Sequence, residues 1–155
     1  MAGEVDARLK DLGITVPEAA APVANYVGFV QSGNLVFVSG QVPIKDGKFH
    51  YQGKVGAEVS LEDAQEAAKL CAVNIIAQLK AACGGDLDRV RRIVKLGGFV
   101  NSVPEFGDQP KVINGASDLM VAVFGDKGKH SRAAVSAGAL PLGVAVEVDG
   151  IFEIA

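Results

Sequence analysis

Residues 60–83 constrain the fold of this chain more than any other stretch. Leu61, Ala64, Ala68, Cys71, Ile75 and Leu79 recur every three or four positions, the spacing of one helix face. Ser60 can cap the start, with Asp63 three residues on, and Gly84-Gly85 stops the helix. Alanines at 67, 68, 72 and 77 keep the face shallow, so the helix can lie close against a sheet. A helix of this length with one apolar face needs a second layer to cover it.

The flanking segments supply that layer. Residues 3–12 predict a short leading helix through Val5, Leu9 and Leu12, and residues 13–24, with Gly13, Pro17 and Pro22, an extended connector. Tyr26–Val30 and Asn34–Ser39 read as strands around a tight turn at Gln31-Ser32-Gly33, and Leu35–Val38 is apolar enough to be buried on both sides. Residues 43–56 read as a loop or irregular ribbon. Arg89–Asn101 is a long strand in which Gly97-Gly98 signals a bulge or a close backbone approach. A second helix spans Pro110–Phe124, striped by Val112, Ala116, Leu119, Met120 and Val123. Strands at Arg132–Ala137 and Val144–Asp149, the latter extended by Ile151–Ile154, close the chain. This order predicts one α+β domain over residues 1–155, with a leading helix and connector at 1–19 and a core at 20–154. Its sheet is mixed and mostly antiparallel, with the helices on one face. The other face must then meet another chain or close into a barrel, so an oligomer is expected.

Composition removes several function classes. The 155 residues are 49% hydrophobic and 21% charged, as in a folded domain rather than a disordered one. Fifteen basic against eighteen acidic side chains, net −3, provide no concentrated positive charge for duplex nucleic acid or an anionic membrane. The opening residues are neither basic nor apolar, and no run of eighteen apolar residues occurs, so a cytoplasmic location without a membrane partner is expected. Cys71 and Cys83 would stand about 18 Å apart on one helix, too far for a disulfide, and both read as structural. His50 and His130 lie far apart with no spaced ligand set, and no nucleotide cradle or Gly-x-Ser-x-Gly elbow is present. No metal and no cofactor is expected.

The chemistry concentrates near the end. Arg132 sits in an alanine and valine strand, and Glu147 sits in another. A guanidinium in such a segment is costly unless something anionic meets it. Three readings stand: an Arg132–Glu147 salt bridge across neighbouring strands, a solvated or subunit-contact face, or a cleft where Arg132 grips a substrate carboxylate with two parallel hydrogen bonds. In the last, Glu147 would orient a water.

The stretch His130-Ser131-Arg132-Ala133-Ala134-Val135, with Leu140-Pro141 and Val144–Val148, resembles the terminal signature of the RidA family, also called YjgF, the imine deaminases. Tyr26 followed by Gly33-Asn34-Leu35-Val36-Phe37-Val38-Ser39-Gly40-Gln41-Val42-Pro43 is similar to the family's early motif, and Asn114 matches a family asparagine. The likeness covers about residues 20–154. It implies a chorismate-mutase-like trimer with a central sheet barrel, helices outside and clefts between subunits. It also implies cofactor-free hydrolysis of 2-imino or enamino acids of the 2-aminoacrylate type to 2-keto acids and ammonia. Arg132 would then bind the carboxylate and Glu147 would activate water. Tyr26, Ser39 and Gly40 would line the pocket, Asn114 would hold its architecture, and Ala134 would stand where the family often has a cysteine.

Leu142-Gly143 replaces the family's usual charged pair, and together with the leading helix this resembles a longer branch labelled endoribonuclease-like or chorismate-mutase-like. Each companion residue also has a plainer reading. Tyr26 could pack at an interface, Asn114 could bridge backbone groups, Ser39-Gly40 could be a turn with positive φ at Gly40, and His130 could be a surface histidine. The leading functional expectation is the deaminase. The alternative is a non-catalytic trimer that binds or senses a small carboxylate. RNA cleavage ranks lower, because the chain is acidic and lacks an aromatic and basic track. Chorismate mutase activity would ask for more than one arginine.

Overall fold

The computed structural model describes residues 3–21 and 25–155, so residues 22–24 of the expected connector lie outside the described residues. The chain forms helix α1 (Glu4–Asp11), strands β1 (Phe29–Ser32) and β2 (Leu35–Gln41), and a small hairpin of β3 (Ile44–Lys45) and β4 (Lys48–Phe49). Helix α2 (Leu61–Ala82), strand β5 (Val90–Asn101), helix α3 (Gln109–Phe124), β6 (Ser131–Ala137) and β7 (Val146–Ile154) follow. The main sheet is five-stranded in the order β1-β2-β7-β5-β6. All its pairings are antiparallel except β5 with β6, which is parallel. The α+β class and the mixed, mostly antiparallel sheet are as expected.

Helix α2 follows its sequence pattern closely. Ser60 Oγ accepts from the Asp63 backbone N–H at 3.1 Å, which satisfies one of the free donors at the helix start. Ala64, Ala67, Ala68, Cys71, Ala72, Ile75 and Leu79 are fully buried against the sheet. Val36, Ile93, Leu96, Val148 and Phe152 meet them from the strands. Helix α3 lies beside α2, and its Val112, Ile113, Ala116 and Met120 complete the core. Gly98 is needed here because a side chain on it would collide with Ile113. The register shifts of β5 fall earlier, at Val90/Arg92 and Ile93/Lys95, so the glycine pair marks a close approach and not a bulge.

Several local expectations are corrected. The first strand begins at Phe29, not Tyr26, and runs to Ser32. A two-residue turn at Gly33-Asn34, with Gly33 at φ 62°, sets Ser32 opposite Leu35. Leu35–Val38 is buried on one side only: Val36 and Val38 face the helices, while Phe37 is 43% exposed. Within the polar stretch 43–56, Ile44–Lys45 and Lys48–Phe49 form a short hairpin, and the rest is irregular as expected.

The larger correction concerns closure. The sheet is open, with β1 and β6 at its two edges, and forms no barrel. The structure is a single chain, and the trimer implied by the family likeness is not seen in it. The barrel expected of a trimer is built from the sheets of several chains, and one five-stranded sheet with β1 and β6 at its edges does not make one. The helices cover one face, as expected. The other face displays Val30, Phe37, Lys95, Phe99, Val135, Glu147, Asp149 and Ile151, which pair along the register of neighbouring strands.

Candidate functional site

Residues opposite one another in a sheet project to the same face, and successive residues alternate. Arg132 pairs with Leu96, which is buried on the helix side. Its guanidinium reaches α3, donating from Nη1 to Asn114 Oδ1 at 2.8 Å and to Ser117 Oγ at 3.1 Å, and from Nη2 to the Pro110 carbonyl at 3.3 Å. Pro110 stands in the first turn of α3, and Asn114 and Ser117 follow one helical turn apart on one face. Ala134 is on the same side of β6 as Arg132 and packs against the core. The plain reading of His130 as a surface residue is corrected. It is half-buried, with Nε2 at 2.8 Å from Ser117 Oγ and Nδ1 at 2.6 Å from the Gly128 carbonyl oxygen.

Glu147 lies elsewhere. It pairs with Phe99, and Phe99 pairs with Val135, so β5 separates it from β6. Its neighbours Val146 and Val148 are buried on the helix side, which turns Glu147 to the bare face. Arg132 and Glu147 are thus on opposite faces, with Cα atoms about 14 Å apart by strand spacing and rise. No salt bridge joins them, because no pair of adjacent strands carries both. Burial pushes the Glu147 carboxyl above its ordinary range, and the nearby Asp149 carboxylate adds to the rise. Asp149 is also raised by burial, though Lys95 and the Gly97 backbone N–H oppose this.

Glu147 gathers other expected residues. The register of β2 shifts between Val38 and Gln41, and this brings the Gly40 backbone against the Glu147 carboxyl, where a side chain on Gly40 would collide with it. Gly40 has no positive φ, so the turn reading of Ser39-Gly40 is replaced by this close approach. Ser39 Oγ donates to the Val27 carbonyl at 2.7 Å, and Ser39 N–H donates to the Gly28 carbonyl at 2.9 Å. Those bonds strap the segment after Tyr26 to β2, and Tyr26 itself is 53% exposed.

The expected residues therefore form two groups: Arg132, Asn114 and Ala134 on the helix side near β6, and Glu147, Gly40, Ser39 and Tyr26 around β2 and β7. Sequence reasoning missed Ser117. Its signal was the three-residue step from Asn114, together with His130 two positions before Arg132. Neither of two concavities on the chain includes Arg132 or Glu147. One, of about 340 Å³, lies between the hairpin and α2 beside Lys45, His50, Tyr51 and Lys69. The other, of about 420 Å³, lies beside α1. Among the described residues no group of three histidine, cysteine or acidic side chains could hold a metal ion, and no helix is long and apolar enough to cross a membrane.

The chain and its fold are similar to known proteins. The family described as "YjgF/chorismate mutase-like, putative endoribonuclease" matches residues 6–153. Protein TCP17 of Trypanosoma cruzi is 50% identical over 153 residues, covering 98% of this chain and 95% of that protein. A crystal structure of an Agrobacterium tumefaciens protein of unknown function is similar at TM-score 0.93, with 54% identity over 98% of this chain and 93% of that one. RidA from an Antarctic Psychrobacter is similar at TM-score 0.62, with 29% identity over 88% of this chain and 94% of that one.

Proposed function

From the premise that this chain belongs to the YjgF/chorismate mutase-like family, the RidA family, we propose that it hydrolyses small reactive 2-imino or enamino acids. The enamine form tautomerises to the imine. Water then adds to the C=N carbon, and the carbinolamine expels ammonia to leave a 2-keto acid, so no electrons are exchanged and no cofactor is required. This reading extends to the chain the activity implied by its likeness to the imine deaminases.

One observation carries it. The Arg132 partners among the described residues are an amide oxygen, a hydroxyl and a backbone carbonyl, all neutral. Its charge is not cancelled by a protein carboxylate. Of the five guanidinium N–H groups, three are engaged, and the Nε–H and one N–H of Nη2 are left. Two such donors suit the two oxygens of a carboxylate. A 2-imino acid held there presents its electrophilic carbon one bond from the gripped group. The raised Glu147 carboxyl lies nearer to neutral pH than an ordinary one, which suits a base that takes a proton from attacking water.

The two groups sit on opposite faces of one chain. In this proposal the Arg132 group of one copy meets the Glu147 group of a second copy, with Tyr26, Ser39 and Gly40 lining the cleft and Ala134 beside the carboxylate. The exposed apolar residues on the bare face support such self-association.

The test is to generate imines with an amino acid oxidase or a serine dehydratase and follow their decay by semicarbazide trapping. The protein should accelerate the decay. Arg132→Lys should lose at least about tenfold in kcat/KM, because an ammonium cannot reproduce two parallel N–H donors. No acceleration across several side chains overturns the reading.

A further inference from the structure

We propose that Ser117 and His130 are positioning residues, which hold Arg132 so that its Nε–H edge faces the ligand; this rests on the reading of Arg132 as the carboxylate grip. The direction of each hydrogen bond follows from the groups present. The Gly128 carbonyl can only accept, so His130 Nδ1, at 2.6 Å, carries a proton. While His130 is the neutral imidazole, its one N–H is at Nδ1, Nε2 is the acceptor, and the Ser117 hydroxyl at 2.8 Å donates to it. With its hydrogen committed there, the Ser117 oxygen offers its lone pairs to Arg132 Nη1 at 3.1 Å. Donation runs in one direction, from Arg132 through Ser117 and His130 to the Gly128 carbonyl.

The consequence for Arg132 is specific. Asn114 and Ser117 take both hydrogens of Nη1, and Pro110 takes one of Nη2. A guanidinium bound on that side cannot swing about its long side chain, and the two remaining donors keep one direction. His130 is needed as well as Ser117. A serine inside a helix has a competing acceptor in the carbonyl four residues before it, here Ile113. Without the imidazole, the Ser117 hydroxyl can turn to that carbonyl and carry its oxygen away from Nη1. Neither residue touches the reacting atoms in this account; both act through Arg132.

The experiment compares Ser117→Ala and His130→Ala with Ser117→Thr and His130→Gln. Threonine keeps a hydroxyl, and the glutamine amide oxygen can accept from Ser117. Rotation of the Arg132 guanidinium about its Nε–Cζ bond, followed by nitrogen-15 NMR of the ligand-free protein, should be several-fold faster in both alanine variants and close to wild type in the other two. Pyruvate affinity should fall about tenfold in the alanine variants only, and imine turnover should show that loss in KM with kcat little changed. Unchanged rotation in both alanine variants overturns the inference, as does equal impairment in the threonine and glutamine variants. If rotation responds as expected while the wild type neither binds pyruvate nor consumes imines, the positioning role stands and the proposed function fails.

Discussion

Glu147 places a carboxyl on a sheet face beside a second acid, Asp149, and both are pushed up by burial. The folded state therefore keeps the Glu147 proton to a higher pH than the unfolded chain, whose glutamate titrates near 4.5. Below that value both states are protonated and the residue costs nothing. As pH rises through the folded value, the folded state must hold a charge it disfavours, and stability falls. Glu147→Gln should then raise Tm at pH 7 by a few degrees at most, and the gain should vanish near pH 4, a pair of thermal melts that also separates stability from catalysis because the variant should lose turnover. A gain that is equal at both pH values would assign it to packing. Arg132 and Glu147 stood out in sequence because each is a charge inside an apolar strand. Their separation onto opposite faces was not legible, since it depends on β5 lying between their strands, a pairing between residues about fifty positions apart. His130 was misread for a related reason: one partner, the Gly128 carbonyl, is local, but the other, Ser117, is on a helix that only tertiary packing brings to it.

Helix α1 shows the same limit at the scale of elements. Its existence follows from Val5 and Leu9, which are buried as the spacing required, although Leu12 is 46% exposed just past the helix end. No side chain of its own caps its start at Gly3. The Asp88 carboxylate does so from outside the helix, accepting from the Glu4 and Val5 backbone N–H groups at 3.0 Å each. Those bonds, Val5 first, hold the Asp88 carboxyl below its ordinary range. A lowered folded value means that the stabilisation is complete above the unfolded range and is lost as pH falls through the folded value. Asp88→Ala should speed hydrogen exchange over residues 4–12 at neutral pH, with little change in α2, and the difference from wild type should disappear in acid. Loss of a cap of this kind typically costs about 1 kcal/mol. Packing between elements gives a second test. Gly98→Ala sets a methyl group against Ile113, inside the contact between β5 and α3, and should cost about 1–3 kcal/mol in denaturant unfolding. The glycine pair announced a close approach in sequence, and only the fold says that α3 is the element approaching.

For the whole molecule, the decisive feature is a sheet with helices on one face. The order of elements already implied it, because the chain has two substantial helices for a broad sheet. How the second face is covered was not legible, since the pairing of sheet edges and faces between chains leaves no periodic mark within one of them. The bare face combines Val30, Phe37 and Val135, at 53%, 43% and 48% exposure, with the charges of Lys95, Glu147 and Asp149. If the Arg132 group of one copy completes the Glu147 group of another, assembly and turnover must fail together. Phe37→Lys and Val135→Lys test this, because both side chains are exposed in the single chain and their replacement leaves its core intact. Each variant should keep its far-ultraviolet circular dichroism and a cooperative melt, while its mass in solution falls to that of one chain and imine turnover drops by two orders of magnitude or more. Leu12→Lys, a comparably exposed change just past the end of α1 and outside the sheet, should leave both mass and turnover as in the wild type. A single-chain variant with full turnover would mean that one copy holds a complete site, and the opposed placement of Arg132 and Glu147 would then have to be reconciled with chemistry that uses only one of them.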